Sequence, residues 1–461
     1  MAWRVAPLIA SAPLLFALCT TLWRTPYPIN EAVALFEDVA KAPPSAFLIP
    51  ESSYYRPMFH LSLMAIWRHA GRLDARLAGV KLLHVTPVAV LVVLLPWCLR
   101  PRDLLEAVAA AIALLVLIGS PGFRDNLEIP LSYTAVGMPI ALAVWRLLED
   151  EARRRTTALV IALALIAVGF KEQGLVLVPV VLAARWMRAP GASRALTVTL
   201  VVFAAAYLVL RLLWSGRWPL FEQSMGLGFS TLEPREAAAR FGAFPYWMYA
   251  YNSASTMANV LFAEPTAGLF FFTRALWNGA IEPWYLVHLA SSAGVTACIA
   301  WWGVRVLRAE RGSAWSTESR TFVALLVALV ACGALSFNYS RDRLGGMAAV
   351  YYALAAYFAI RAVAAQAIEA SPERCLATGL TLCLLASLWS LRAVGTVEWT
   401  RRTAFDNQAR WLTQLVERRE EFADRPVYLG IMREMVDQGT APGAPWPTRY
   451  PRYIGRWMGP P

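Results

Sequence analysis

The residues of this chain that could do chemistry sit in a few short stretches between long apolar runs. The first is Pro28–Pro57. It holds Glu31, Glu37, Asp38, Lys41 and Arg56, with Tyr54 and Tyr55 directly before the Arg56-Pro57 pair. At about 100° per residue, a helix over its first half puts Ala32, Val33, Leu35, Phe36, Val39 and Ala40 on one arc and Glu31, Glu37, Asp38 and Lys41 on the other. Glu31 and Asp38, seven apart, then share a face. The spacing predicts a short helix lying in the membrane interface, with its acids turned to water or to a substrate. The second stretch is Lys171-Glu172-Gln173-Gly174, at the end of one apolar run and the start of the next. The third is Ser340-Arg341-Asp342-Arg343, in a tight turn between two others. An outward-facing carboxylate suits a general base. Fixed cations beside it suit stabilisation of charge on a departing phosphate.

Each of these groups also has an ordinary structural explanation. Asn30 is a good helix N-cap, and Glu31 then sits where the helix dipole welcomes an anion. Glu37 and Lys41 form a routine i,i+4 pair. Arg56 opens a second short helix with Pro57 in its first turn, a place that favours phosphate but also permits snorkelling to headgroups. Lys171 and Glu172 could simply neutralise each other. In the Ser340–Arg343 turn two cations face one acid, which leaves one positive charge for something anionic.

The elements that must position these groups are membrane helices. The chain has 461 residues, 58% of them hydrophobic and 16% charged, with mean hydropathy +0.47. That composition excludes an ordinary soluble protein. The net charge of +12 is carried almost entirely by arginine, since Lys41, Lys81 and Lys171 are the only lysines. The excess fits the positive-inside rule, and no soluble basic domain exists to bind nucleic acid. The six cysteines show neither zinc-like spacing nor a disulfide framework. The N-terminal run reads as a retained first span rather than a cleaved signal.

Apolar runs predict about eleven spans: Val5–Trp23, Leu77–Leu99, Leu104–Ile118, Leu131–Leu148, Thr157–Phe170, Leu175–Met187, Ala195–Trp214, Trp284–Leu307, Thr321–Phe337, Gly345–Ile360 and Leu376–Leu391. Short loops rich in arginine (Arg100 and Arg102; Arg153 to Arg155; Arg185, Arg188 and Arg194; Arg305, Arg308 and Arg311; Arg361 and Arg374) form one set, expected on the cytoplasmic side. The N-terminus is then cytoplasmic and the C-terminus periplasmic. The first outer loop (24–76), the Lys171 turn, the long loop (214–282) and the Asn338–Arg343 turn all fall on the outer face. Ser120–Pro130 reads as a loop. Phe241–Phe272 reads as an aromatic interfacial helix, and Phe241–Tyr251 could stack on sugars or form part of an aromatic belt. The domain expectation is a transmembrane unit over 1–391 and a small periplasmic tail over 392–461, with an amphipathic helix at Thr403–Glu420 and a short strand at Pro426–Ile431.

The order of motifs resembles the GT-C superfamily of multi-pass glycosyltransferases. It runs from an acid-bearing first outer loop through Tyr55-Arg56-Pro57 and Leu82-Leu83-His84 to Lys171-Glu172-Gln173-Gly174. The chain is most similar to the branch with the tetratricopeptide-associated O-mannosyltransferases and their bacterial relatives, without the repeats. The resemblance covers about Pro28–Met187 and, more weakly, Asn338–Tyr357. It implies an all-α, GT-C-like bundle with interfacial helices in the first outer loop. It also implies a polyprenyl-phosphate-linked sugar donor, a lipid, glycan or protein acceptor, and an inverting single displacement. Glu31, or else Asp38, would be the base; Arg56, Lys171, Arg341 and Arg343 would contact the donor phosphate; Tyr55, Glu172 and His84 would support them. Relatives commonly carry an acidic pair where this chain has Asn30-Glu31, so the choice between Glu31 and Asp38 stays open, as does a divalent metal.

The function expected is therefore a hexosyl- or pentosyltransferase of the bacterial inner membrane, acting on its outer side. Two rivals come from other classes. A lipid or sugar transporter or flippase would show charges at mid-depth and broken helices in paired halves. An O-antigen-type ligase or polymerase would use arginines of the large outer loops, such as Arg217, Arg235, Arg240 and Arg274.

Overall fold

The computed structural model describes residues 2–24, 39, 43, 45, 56–128, 132–151, 153–215, 225–227, 230–232, 234–242, 246–262, 269–310 and 315–417, with a few isolated positions up to 433. In chain order the helices are α1 (Ala2–Arg24), α2 (Pro57–His69), α3 (Leu73–Leu99), α4 (Leu104–Ile118), α5 (Pro121–Glu128), α6 (Ser132–Ala135), α7 (Gly137–Leu148), α8 (Arg154–Phe170), α9 (Leu177–Trp186) and α10 (Arg194–Ser215). Then come strands β1 (Met225–Leu227) and β2 (Ser230–Leu232), an antiparallel ribbon. After them follow α11 (Pro234–Phe241), α12 (Tyr246–Phe262), α13 (Leu269–Trp277), α14 (Pro283–Ala309), α15 (Thr317–Leu335), α16 (Gly346–Ala370) and α17 (Pro372–Glu417). Two 3-10 turns, Glu172–Val176 and Asp342–Gly345, precede α9 and α16.

The chain is an α-helical, multi-pass membrane protein. Among the described residues six helices are long and apolar enough to cross a bilayer, and a seventh span arises if the bent α4–α5 pair is one crossing. Helices occupy all eleven stretches expected from the apolar runs, but several are short. Ten-residue α9 is about 15 Å long at 1.5 Å per residue, half the thickness of a bilayer core.

The bundle is built around α16, whose residues from Gly346 to Ile360 are all buried. Its alanines at 348, 349, 353, 355, 356 and 359 let neighbouring backbones approach closely. Two of its three buried tyrosines find backbone partners: Tyr351 donates to the Ala141 carbonyl at 3.4 Å and Tyr352 to the Ser292 carbonyl at 3.3 Å. Helix α17 shows the opposite pattern. Leu376, Leu380 and Leu384 form an outward stripe, each more than 60% exposed, whereas Trp389 and Ala393 are fully buried. With i,i+4 spacing, the stripe is the lipid-facing side.

The end of the bundle that carries Arg361 is closed by ion pairs. Arg361 bridges Glu106, at 3.1 Å, and Glu318, and so joins the start of α4 to the start of α15. Arg320 pairs with Glu149 at the end of α7.

Three expectations are corrected. Ser120–Pro130 is not a plain loop, because Pro121–Glu128 is helical and departs from α4 by 56°. The carbonyls freed at the break are taken up by α17. Arg392 donates to the Gly119 carbonyl at 2.7 Å, and Thr396 donates to the Ile118 carbonyl at 2.9 Å. These are carbonyls at the end of α4, where a cation also meets the negative end of the helix dipole. Gly119 permits the approach, because a Cβ there would stand 3.0 Å from both Arg392 and Trp389 side-chain carbons. Second, the boundary at 391/392 falls inside α17, which continues unbroken to Glu417, so Thr403–Glu420 does not form a separate helix over its described part. Third, Pro426, Val427, Leu429 and Gly430 are helical rather than a strand. Val427 and Leu429 pack on the cluster of Phe59, Leu63 and Trp67 of α2. Val39, expected on the apolar arc of the first outer loop, is buried in the same cluster.

Candidate anion-binding site

At the opposite end of the bundle from Arg361, the cations expected to act on a phosphate converge. Helix α8 ends at Phe170, and Lys171 leaves it in extended conformation before the Glu172–Val176 turn. The turn folds back against α8 because residue 174 is glycine. A Cβ there would lie 2.4 Å from the Val168 nitrogen and 2.5 Å from the Ala167 carbonyl carbon. The reversal faces Lys171 and Glu172 toward α2. The Lys171 ammonium meets Glu172 Oε1 at 2.5 Å, and the Arg56 Nε stands 3.8 Å from Glu172 Oε2. One carboxylate thus serves two cations.

The same two cations share an aromatic face. The Arg56 guanidinium lies 4.4 Å from the centre of the Tyr133 ring and the Lys171 ammonium 5.6 Å from it, within cation–π range. Phe59 supports Tyr133 edge-on at 5.3 Å. Lys171 is 6% exposed. Burial pulls its pKa from 10.5 down to about 8, and the charges of Arg56 and Arg343 act in the same direction, while Glu172 opposes them. Lys171 is therefore still charged at neutral pH, and it titrates within reach of experiment.

Arg343 enters from the turn before α16. Gln173 donates to its carbonyl oxygen at 3.3 Å, and Asp125 of α5 accepts its backbone N–H at 2.8 Å. Beside it, buried Asp342 accepts from Arg124 at 3.3 Å and from Asn259 at 3.0 Å. Arg124 lies 4.6 Å from the Trp399 ring centre. Helix α12 holds the turn with one polar stripe. Asn252 donates to the Phe337 carbonyl at 3.1 Å, the hydroxyls of Thr256 and Ser340 are 3.1 Å apart, and Asn259 reaches Asp342. These positions are i, i+4 and i+7, one face of a helix.

Of the residues singled out in the sequence, Arg56, Lys171 and Glu172 are in direct contact, and Arg343 joins them through Gln173. Arg341 is half-buried at the start of its 3-10 turn, with its charge acting on Asp342. His84 is buried inside α3 against the backbone of Leu127. Glu31, Asp38 and Tyr55 lie outside the described residues. Tyr249, expected among the sugar-stacking aromatics, packs edge-on against Phe337 at 5.5 Å. Among the described residues no group of three or more His, Cys, Asp or Glu side chains could hold a metal ion.

Sequence reasoning missed Arg124, Asp125, Tyr133 and the Asn252-Thr256-Asn259 stripe, and it gave Gln173 no role beyond its place in the Lys171–Gly174 motif. A signal existed for the first two, since ionisable residues between adjacent apolar runs face a cavity or each other. Tyr133 gave none, being one aromatic at the start of an apolar run.

No family model matches the chain, and no curated protein or solved structure matches it.

Proposed function

We propose that the chain is a GT-C-type glycosyltransferase with about eleven spans. It sits in a bacterial inner membrane, N-terminus cytoplasmic and C-terminus periplasmic, and acts on the periplasmic side. In this reading a carboxylate of the first outer loop, Glu31 or Asp38, takes the proton of an acceptor hydroxyl. That oxygen attacks the anomeric carbon of a polyprenyl-phosphate-linked sugar, and the bond to the phosphate oxygen breaks with inversion. The phosphate leaves with one more negative charge, which Arg56, Lys171 and Arg343 stabilise. The observation that carries the reading is the convergence of Arg56 and Lys171 on one carboxylate and one aromatic ring, with Arg343 tied in through Gln173.

Two observations favour a transporter instead: Arg392 is buried within a span, and α4–α5 is a broken one. Arg392 has a structural task there, as a partner to the carbonyl freed at the break, and this lowers its weight as a transport residue. The test is sugar transfer from a radiolabelled polyprenyl-phosphate sugar by the purified protein in liposomes, run beside a transport assay in the same vesicles. Transfer that Glu31→Gln abolishes while membrane insertion persists supports the proposal. Transport without transfer overturns it.

A further inference from the structure

The peptide groups around Arg343 are held from both sides by side chains. The Asp125 carboxylate accepts the N–H of Arg343 at 2.8 Å, and the Gln173 amide donates to the C=O of the same residue at 3.3 Å. These two side chains come from different parts of the bundle. Asp125 sits on α5, which the break at Gly119 directs across the bundle end. Gln173 belongs to the turn that also carries Lys171 and Glu172. Neither bond is local, as 218 and 170 residues separate the partners.

We infer that Asp125 and Gln173 are positioning residues: together they clamp the backbone of Arg343 and so set where its cation stands relative to Lys171 and Arg56. The physical case has three parts. The Arg343 backbone enters a 3-10 turn, in which the first N–H groups have no partner within the turn. An ionised acceptor on such an N–H is a strong, directional bond. Asp342 next door is held separately, by Arg124 and Asn259, so the turn is anchored on both sides of the peptide linking 342 and 343. Finally, Gln173 follows directly on Lys171 and Glu172, so the bond to Arg343 transmits position between the two cationic segments. An anion that bridges Lys171 and Arg343 gains from this rigidity, because little ordering is left to be done when it binds.

The test has two arms, and only the second rests on the function proposed above. The first is hydrogen exchange of the protein in nanodiscs, read over Arg341–Gly346. Asp125→Ala and Gln173→Ala should each accelerate exchange of that segment by about tenfold, while the buried part of α16 stays protected. Asp125→Asn, which keeps an acceptor oxygen, should retain most of the protection. The second arm is binding of a polyprenyl monophosphate. Asp125→Ala should weaken it by roughly tenfold, a typical cost for losing a hydrogen bond to a carboxylate, and Gln173→Ala, which loses a bond between neutral groups, by roughly fivefold. In an Arg343→Ala background the same changes should cost less than about twofold, because the residue they act through is gone. Unchanged exchange at 341–346 in both alanine variants overturns the clamp. So does a binding loss that persists in full without Arg343, which marks a merely structural role. If Asp125→Ala fails to fold, Asp125→Asn and Gln173→Ala decide. If the wild-type protein binds no polyprenyl monophosphate, the function proposed above falls, and the clamp is judged on exchange alone.

Discussion

Replacing Lys171 by arginine should remove a pH dependence that the wild-type site possesses. The Lys171 pKa is depressed from 10.5 to about 8, chiefly by burial. That depression corresponds to roughly 3 kcal/mol against the charged form. An anion binds the protonated lysine, so affinity should be constant below about pH 7 and fall as pH rises through about 8. At about pH 9.5 only about 3% of an isolated group of this pKa remains charged, which sets a limit of about thirtyfold on the loss. Arginine keeps its charge throughout this range, so Lys171→Arg should bind weakly or well but with no fall. The measurement is the affinity of a polyprenyl monophosphate for the protein in nanodiscs from about pH 6.5 to 9.5, above the second phosphate pKa of about 6 for most of the range. Equal pH profiles for wild type and Lys171→Arg would refute the reasoning, as would a flat wild-type profile. The linkage to stability has the opposite sign. Between about pH 8 and 10.5 the folded state binds fewer protons at Lys171 than the unfolded state, so this residue makes folding more favourable as pH rises through that window.

Three further outcomes can be checked by thermal or denaturant unfolding of the purified protein. Asp342→Ala removes the carboxylate facing buried Arg124 and should cost about 3–5 kcal/mol, whereas the double change Arg124→Met with Asp342→Leu should recover most of it; a single-variant loss under about 1 kcal/mol would mean that the pair is dispensable. Gly174→Ala drives a methyl into the backbone of residues 167 and 168 and should cost about 1–3 kcal/mol with loss of anion binding; unaltered binding would show that the turn can move without moving Lys171. Thr396→Val takes the donor from the Ile118 carbonyl and should cost about 1–2 kcal/mol, less than Arg392→Leu, which strips three hydrogen bonds from two hydroxyls and the Gly119 carbonyl; equal costs would contradict the account of the break between α4 and α5.

What could be read directly from the chain is whatever depends on neighbours along it. Runs such as Val5–Trp23 and Leu104–Ile118 specify helices in a bilayer, because there a backbone can satisfy its polar groups only within its own segment. The places where Arg56, Lys171 and Arg343 interrupt or border such runs were legible for the same reason, since charge at a span end is costly unless something receives it. Their gathering at one end followed from the alternation of loops. Tertiary structure alone decided the rest. The partners of the carbonyls at the 56° break after Gly119 are Arg392 and Thr396, more than 270 residues away. The Asn252-Thr256-Asn259 stripe looked like part of an aromatic interfacial helix until the Phe337–Asp342 connection was found docked against it. Tyr133 became part of the site only when α2 and the Lys171 turn brought two cations to its ring. A helix's periodicity tells which side is apolar, but two buried polar groups choose each other by distance and direction in the folded bundle, and neither quantity is written in the spacing of either one.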